Sequence, residues 1–134
     1  MEDQVQAKLD GYPRDVYERI NAIRMLIFEV VEENKLEGFC ETLKWGELAY
    51  ISKEGSTLRL DWKAKTPDQV SLYVNCQTSL IETFQELYGD VLVCVGKREI
   101  IFEFEKEISE QIVKDCILKT LRYHKVKHLP LLGA

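Results

Sequence analysis

The sequence predicts one α+β domain in which an antiparallel sheet of about five strands packs on helices in two layers. Three observations predict it: an N-terminal helical repeat of apolar residues, a middle region where apolar and polar residues alternate, and two later helical segments with a strand between them. The chain has 134 residues, which is close to the commonest size of one domain. We therefore expect a single domain over 1–134, with its core at about 12–122 and a C-terminal tail at 123–134.

The first helix is predicted by one apolar stripe. Its apolar residues recur at spacings of three and four, at Val16, Ile20, Ile23, Ile27 and Val30. Pro13 suits the first turn, because an N–H is not needed there. Gly38 is expected to end this helical region.

Residues 43–76 alternate with a period of two, which predicts a three-stranded antiparallel meander with one face on the core. Turns are expected at residues 54–56 and 66–68, where Gly55 and Pro67 favour tight corners.

A second helix is expected from Ser79, which forms a capping box with Glu82, to Gly89. A short apolar strand at 91–95 and a longer strand at 100–104 follow. The last helix begins near Ser109, and the apolar tail at 129–132 either docks on the domain or contacts a partner.

Composition excludes several classes of protein. The net charge of −5 disfavours non-specific nucleic-acid binding. No apolar stretch is long enough to span a membrane, and the acidic first residues do not resemble a signal peptide. The four cysteines form no C-x-x-C pair. We expect a cytoplasmic protein with free thiols and no membrane or nucleic-acid partner.

A search for catalytic motifs finds no hydrolase elbow, zinc-protease, Walker A or dinucleotide-binding pattern. The two histidines, His124 and His128, lie four residues apart in a basic tail that repels cations. No cysteine has the neighbouring cation that favours a reactive thiolate. We therefore expect a protein that is not an enzyme and has no cofactor.

The favoured function is a binding domain for an unknown small molecule or protein on the exposed face of the sheet. Alternation places Asp61, Tyr73 and Asn75 on that face, bordered by Trp45 and Tyr50. Three simpler interpretations stay open. The face could be merely solvated or could form a homodimer interface, and Trp45 could fill a core gap while Gly46 permits a bulge.

The segment from Lys44 to Tyr50 resembles the K-W-G-x-x-A-Y signature of the YdhG-like domain-of-unknown-function family, which includes a bacterial frataxin-like protein. The resemblance covers about 12–122 and implies a YdhG-like fold. It also implies an alternative function as an intracellular iron chaperone. The iron ligands would then be carboxylates at the end of the first helix, namely Glu29, Glu33 and Glu37, with Glu32 and Glu41 nearby. Glu33 and Glu37 would be i,i+4 neighbours if the helix continued that far.

Overall fold

A computed structural model describes residues 2–134 and shows an α+β fold built on one six-stranded antiparallel sheet. The helices are α1 (Asp3–Asp10), α2 (Arg14–Glu33), α3 (Leu80–Tyr88), α4 (Glu110–Leu121) and α5 (Tyr123–Val126). The strands are β1 (Cys40–Lys44), β2 (Glu47–Ile51), β3 (Leu58–Asp61), β4 (Gln69–Tyr73), β5 (Val93–Val95) and β6 (Glu99–Glu103). A 3-10 helix spans Pro130–Gly133.

The strands lie in the order β1-β2-β3-β4-β6-β5, and every neighbouring pair is antiparallel. A row of apolar residues crosses the four central strands, because Leu48 pairs with Leu60, Leu60 with Leu72, and Leu72 with Ile100. The strand that the sequence did not predict is β1, which raises the number from about five to six.

Helices α2 and α4 cover one face of the sheet and bury the predicted stripe. Val16, Ile20, Ile27 and Val30 of α2 are all almost fully buried. α2 follows Pro13 directly and ends at Glu33. The predicted core residues of the last helix, including Cys116, Ile117 and Leu121, are buried as well.

Helix α1 lies on the opposite face, which we call the outer face. Its apolar residues Val5 and Leu9 are buried, and the preceding Glu2 accepts a hydrogen bond from Thr42 on β1. The sequence predicted helices on one face only. That expectation is incomplete, because two buried apolar residues are enough to dock one short helix across the outer face.

The β1–β2 connection is a two-residue turn made by Trp45 and Gly46, whose φ angles are 57° and 75°. Two positive φ angles match the twist of the flanking strands in a tight hairpin. Trp45 is 87% exposed at the tip of this turn. The interpretation that it fills a core gap beside a bulge is therefore wrong.

Two smaller expectations concern the later helices. Ser79 precedes α3 but its side chain makes no capping bond, and its backbone N–H instead donates to the hydroxyl of Tyr123 at 3.1 Å. The apolar tail docks through Leu132, which is buried, while Leu129 and Leu131 stay exposed. No helix in residues 2–134 is both long enough and apolar enough to cross a membrane.

Candidate functional site

The outer face carries most of the sheet's polar side chains. The period of two in β3 and β4 turns Arg59, Asp61, Ser71 and Tyr73 to this side, while their neighbours Leu60 and Leu72 face the core. Across the ladder, Asp61 pairs with Ser71 and Arg59 with Tyr73.

Asp61 is enclosed by α1 and the segment that follows it. The hydroxyl of Tyr12 donates to its Oδ1 at 2.5 Å, and the ammonium of Lys8 lies 3.3 Å from the same oxygen. Lys63 donates to Oδ2 at 3.2 Å. Only 4% of the Asp61 side chain is exposed, so this carboxylate is fully partnered and closed to solvent.

Glu47 is the second buried carboxylate of the outer face. Arg59 donates to its Oε1 at 2.7 Å and Lys63 to its Oε2 at 2.8 Å. Burial alone would lower the pKa of Lys63, but its hydrogen bonds to Glu47 and Asp61 raise the pKa above the ordinary lysine value. Lys63 therefore stays charged and joins the two carboxylates into one network.

Two tyrosines border this network. Burial and the bond to Asp61 raise the pKa of Tyr12. Burial, with the negative charge of Glu99 nearby, also raises the pKa of Tyr73. The Tyr73 ring lies under the guanidinium of Arg59 at 5.6 Å and under the ammonium of Lys63 at 5.8 Å. Both phenols thus keep their protons at neutral pH.

A groove of about 270 Å³ adjoins the network, and its lining runs from the β1–β2 turn to the chain that follows β4. We call it the Trp45 groove. It is lined by Lys44, Trp45, Thr57, Arg59, Val74, Asn75, Cys76 and Arg98. All charged residues in this lining are cations, although the chain as a whole has a net charge of −5.

Asn75 is fixed at the rim of the groove by a local turn. Its side-chain oxygen accepts a hydrogen bond from the backbone N–H of Gln77 at 2.8 Å, and its carbonyl accepts one from the Thr78 hydroxyl at 2.7 Å. This Asx turn ends the extended chain after β4 and sets one wall of the groove.

The structure brings together four of the five predicted site residues. Trp45 and Asn75 line the groove, Asp61 and Tyr73 belong to the adjoining network, and Arg59 contacts both.

Tyr50 lies on the helix-facing side of the sheet, so its predicted place beside the outer face is wrong. Alternation along β2 turns Leu48 and Tyr50 inward, and Tyr50 is fully buried. Its hydroxyl donates to Glu41 at 2.8 Å, and burial together with that carboxylate raises the pKa of Tyr50.

The sequence did not identify Lys44 and Arg98 as site residues. Lys44 ends β1, next to the exposed Trp45, and Arg98 lies in the β5–β6 turn. Sequence could have suggested Lys44 from its position beside the turn. Arg98 reaches the groove only through the pairing of β6 with β4, which no local pattern reveals.

The acidic residues of the iron-chaperone alternative do not form one helical ridge. α2 ends at Glu33, so the helix does not continue far enough for Glu33 and Glu37 to be neighbours on one helical face. Glu33 pairs with Lys114 at 2.8 Å and Glu37 with Lys53 at 3.8 Å. Residues 2–134 contain no group of three or more Asp, Glu, His or Cys side chains placed to hold a metal ion.

No protein-family model, curated protein or solved structure matches the chain. The YdhG-like relation therefore stays a prediction from the Lys44-Trp45-Gly46 segment.

Proposed function

We propose that this chain is a non-enzymatic binding domain whose Trp45 groove takes a small molecule with an anionic group and a planar apolar group. One observation carries the proposal: an exposed indole stands at the edge of a groove whose charged lining residues are all cations.

The conformation of Trp45 supports an interaction role. A bulky residue with φ of 57° is uncommon and costs free energy relative to an ordinary conformation. The indole is also the most exposed large apolar side chain of the described residues. The fold buries little of this indole. A planar ligand stacked on it would remove apolar surface of both the indole and the ligand from water.

The cations of the groove support an anionic ligand. Within residues 2–134, neither Lys44 nor Arg98 has a carboxylate within 4.0 Å. Arg59 bonds Glu47 through one terminal nitrogen, so its guanidinium retains further N–H donors. Guanidinium and ammonium donors bind carboxylates and phosphates with charge-assisted hydrogen bonds.

The titratable groups beside the groove favour binding over catalysis. A general acid or base works best when its pKa lies near neutral pH. Here Lys63 and the two outer-face tyrosines have pKa values raised away from that range. We propose a cytoplasmic location as well, supported by four cysteines that are all free thiols.

Tryptophan fluorescence tests the proposal with phenyl phosphate as the probe. The chain has two tryptophans, so a Trp62→Phe background leaves Trp45 as the reporter. We expect saturable quenching by phenyl phosphate. Arg98→Gln should weaken binding by at least about tenfold, because one charge-assisted contact contributes about 1.5–3 kcal/mol.

Lys97→Gln is the matched control, since Lys97 is an exposed cation of the same turn but does not line the groove. It should leave the affinity unchanged. Quenching that rises linearly with phenyl phosphate, or that is equal in Arg98→Gln and Lys97→Gln, would refute the proposal.

A further inference from the structure

A second polar pocket, of about 230 Å³, lies where the C-terminal ends of α2 and α4 meet the β2–β3 turn. We call it the Arg122 pocket. It is lined by Asn34, Lys35, Leu36, Glu37, Ser52, Lys53, Glu54, Leu121, Arg122 and Lys125. It shares no lining residue with the Trp45 groove.

The β2–β3 turn is held tightly against the end of α4. The Ser52 hydroxyl donates to the carbonyl of Leu121, and the backbone N–H of Ser56 donates to the carbonyl of Thr120 at 3.0 Å. A Cβ atom on Gly55 would lie 2.5 Å from the Leu121 carbonyl oxygen. The wall of the pocket is therefore fixed before any ligand arrives.

The lining has an excess of positive charge. Four cations, Lys35, Lys53, Arg122 and Lys125, face two carboxylates, Glu37 and Glu54. Glu37 is 3.8 Å from Lys53. Within residues 2–134, no carboxylate lies within 4.0 Å of the other three cations.

Arg122, a lining residue of this pocket, carries an unsatisfied donor. Its Nε is the buried side-chain polar atom without a hydrogen-bond partner in the described part of the chain. A buried donor without an acceptor destabilises the fold. Because Arg122 forms no ion pair with any of residues 2–134, its guanidinium can turn toward an incoming anion without breaking one.

The two helix ends do not use these cations as caps. The Val30 carbonyl near the end of α2 accepts hydrogen bonds from the backbone and side-chain nitrogens of Asn34, at 3.1 and 2.9 Å. At the end of α4, the carbonyls of Thr120 and Leu121 are taken by Ser56 and Ser52. The lysine and arginine head groups are thus left for a ligand, while their charge also offsets the negative ends of the helix dipoles.

We propose that the Arg122 pocket binds a small oxyanion of the phosphate class, with Arg122, Lys35 and Lys125 supplying the donors. Its rigid wall and net positive lining carry this assignment, and the Arg122 Nε is a donor that the fold leaves without an acceptor. The site is independent of the Trp45 groove, so either can fail alone.

Amide and guanidinium NMR of the full chain, titrated with inorganic phosphate at constant ionic strength, tests the proposal. We expect saturable shifts at Lys35, Lys53 and the Arg122 Nε–H, retained in a Trp45→Ala variant. Arg122→Gln should weaken phosphate binding about tenfold or more. Lys127→Gln, a nearby cation outside the lining, should leave the affinity unchanged.

A parallel titration with glycerol 3-phosphate distinguishes a phosphate ester from free inorganic phosphate as the ligand. Tighter binding of the ester assigns the pocket to a phosphomonoester, and equal affinity assigns it to free phosphate. Shifts that are linear in phosphate, that sodium chloride reproduces, or that persist in a folded Arg122→Gln variant would overturn the proposal. A folded state is verified by an otherwise unchanged amide spectrum.

Discussion

The ion pair between Arg24 and Glu41 joins α2 to the edge strand β1, and we expect Arg24→Met to destabilise the fold strongly. Arg24 donates to both carboxylate oxygens of Glu41, at 2.7 and 2.8 Å. The two side chains are only 4% and 11% exposed. Tyr50 donates to the same carboxylate at 2.8 Å, so three hydrogen bonds converge on one buried negative charge.

The expected loss of stability follows from the unpaired Glu41 carboxylate that Arg24→Met leaves in the fold. Methionine keeps much of the apolar volume of Arg24 but removes two of the three hydrogen bonds to Glu41. Removing one partner of a buried ion pair costs about 3–5 kcal/mol, because the remaining charge is uncompensated. For a domain whose free energy of unfolding is about 5–15 kcal/mol, that is a large share.

Urea unfolding followed by circular dichroism measures the change, and a double-mutant cycle assigns it. Glu41→Leu alone should also be destabilising, because it leaves the Arg24 guanidinium buried without its partner. The Arg24→Met/Glu41→Leu variant removes both charges and should be less destabilised than the sum of the single variants, by about 2–3 kcal/mol.

Arg14→Met is the control on the same helix. Arg14 and Glu18 form an exposed pair at 3.6 Å, and such pairs usually contribute little to stability. If Arg24→Met changed the urea midpoint no more than Arg14→Met, or if the cycle showed no coupling, the buried pair would not hold α2 to β1 as argued.

Three further predictions concern other contacts. Tyr12→Phe should cost about 1–2 kcal/mol in urea unfolding at pH 7, since it removes the bond to Asp61. That cost should shrink above about pH 10, because the unfolded phenol ionises there while the folded pKa is raised; a pH-independent difference would contradict it. Gly55→Ala should lower the thermal midpoint, because its Cβ would lie 2.5 Å from a backbone oxygen, whereas Gly11→Ala has contacts of 3.5 Å and should be tolerated. Burial raises the pKa of the Cys116 thiol, so iodoacetamide should modify the two exposed cysteines first, and rapid labelling of Cys116 in the native protein would refute its burial.

The elements that the sequence predicted are those whose pattern is set by one dominant core face. α2 carries an apolar stripe over 20 residues, and β3 and β4 alternate clearly. Such patterns have few competing interpretations, because a shift by one residue would turn charged side chains toward the apolar core. The same reasoning predicted Asp61 and Tyr73 on the outer face.

The elements that it missed depend on long-range contacts. Buried and exposed residues do not alternate along β1. The strand is held by its pairing with β2 and by the ion pair of Glu41 with Arg24 on α2. Tyr50 was assigned to the wrong face because β2 is buried on both faces at Ala49 and Tyr50. The bond between Tyr12 and Asp61 spans 49 positions, and no local pattern shows that α1 would cover this carboxylate.

The position of α1 also determines which part of the outer face can bind a ligand. A molecule that bound Asp61 would first have to displace Tyr12 and Lys8 and then replace their contacts. Replacing those contacts would offset much of the free energy gained on binding. In the Trp45 groove, Lys44 and Arg98 form no ion pair with any residue of the described chain, so an anion gains their full attraction. The proposed anionic ligand is therefore better accommodated by the Trp45 groove than by the surroundings of Asp61.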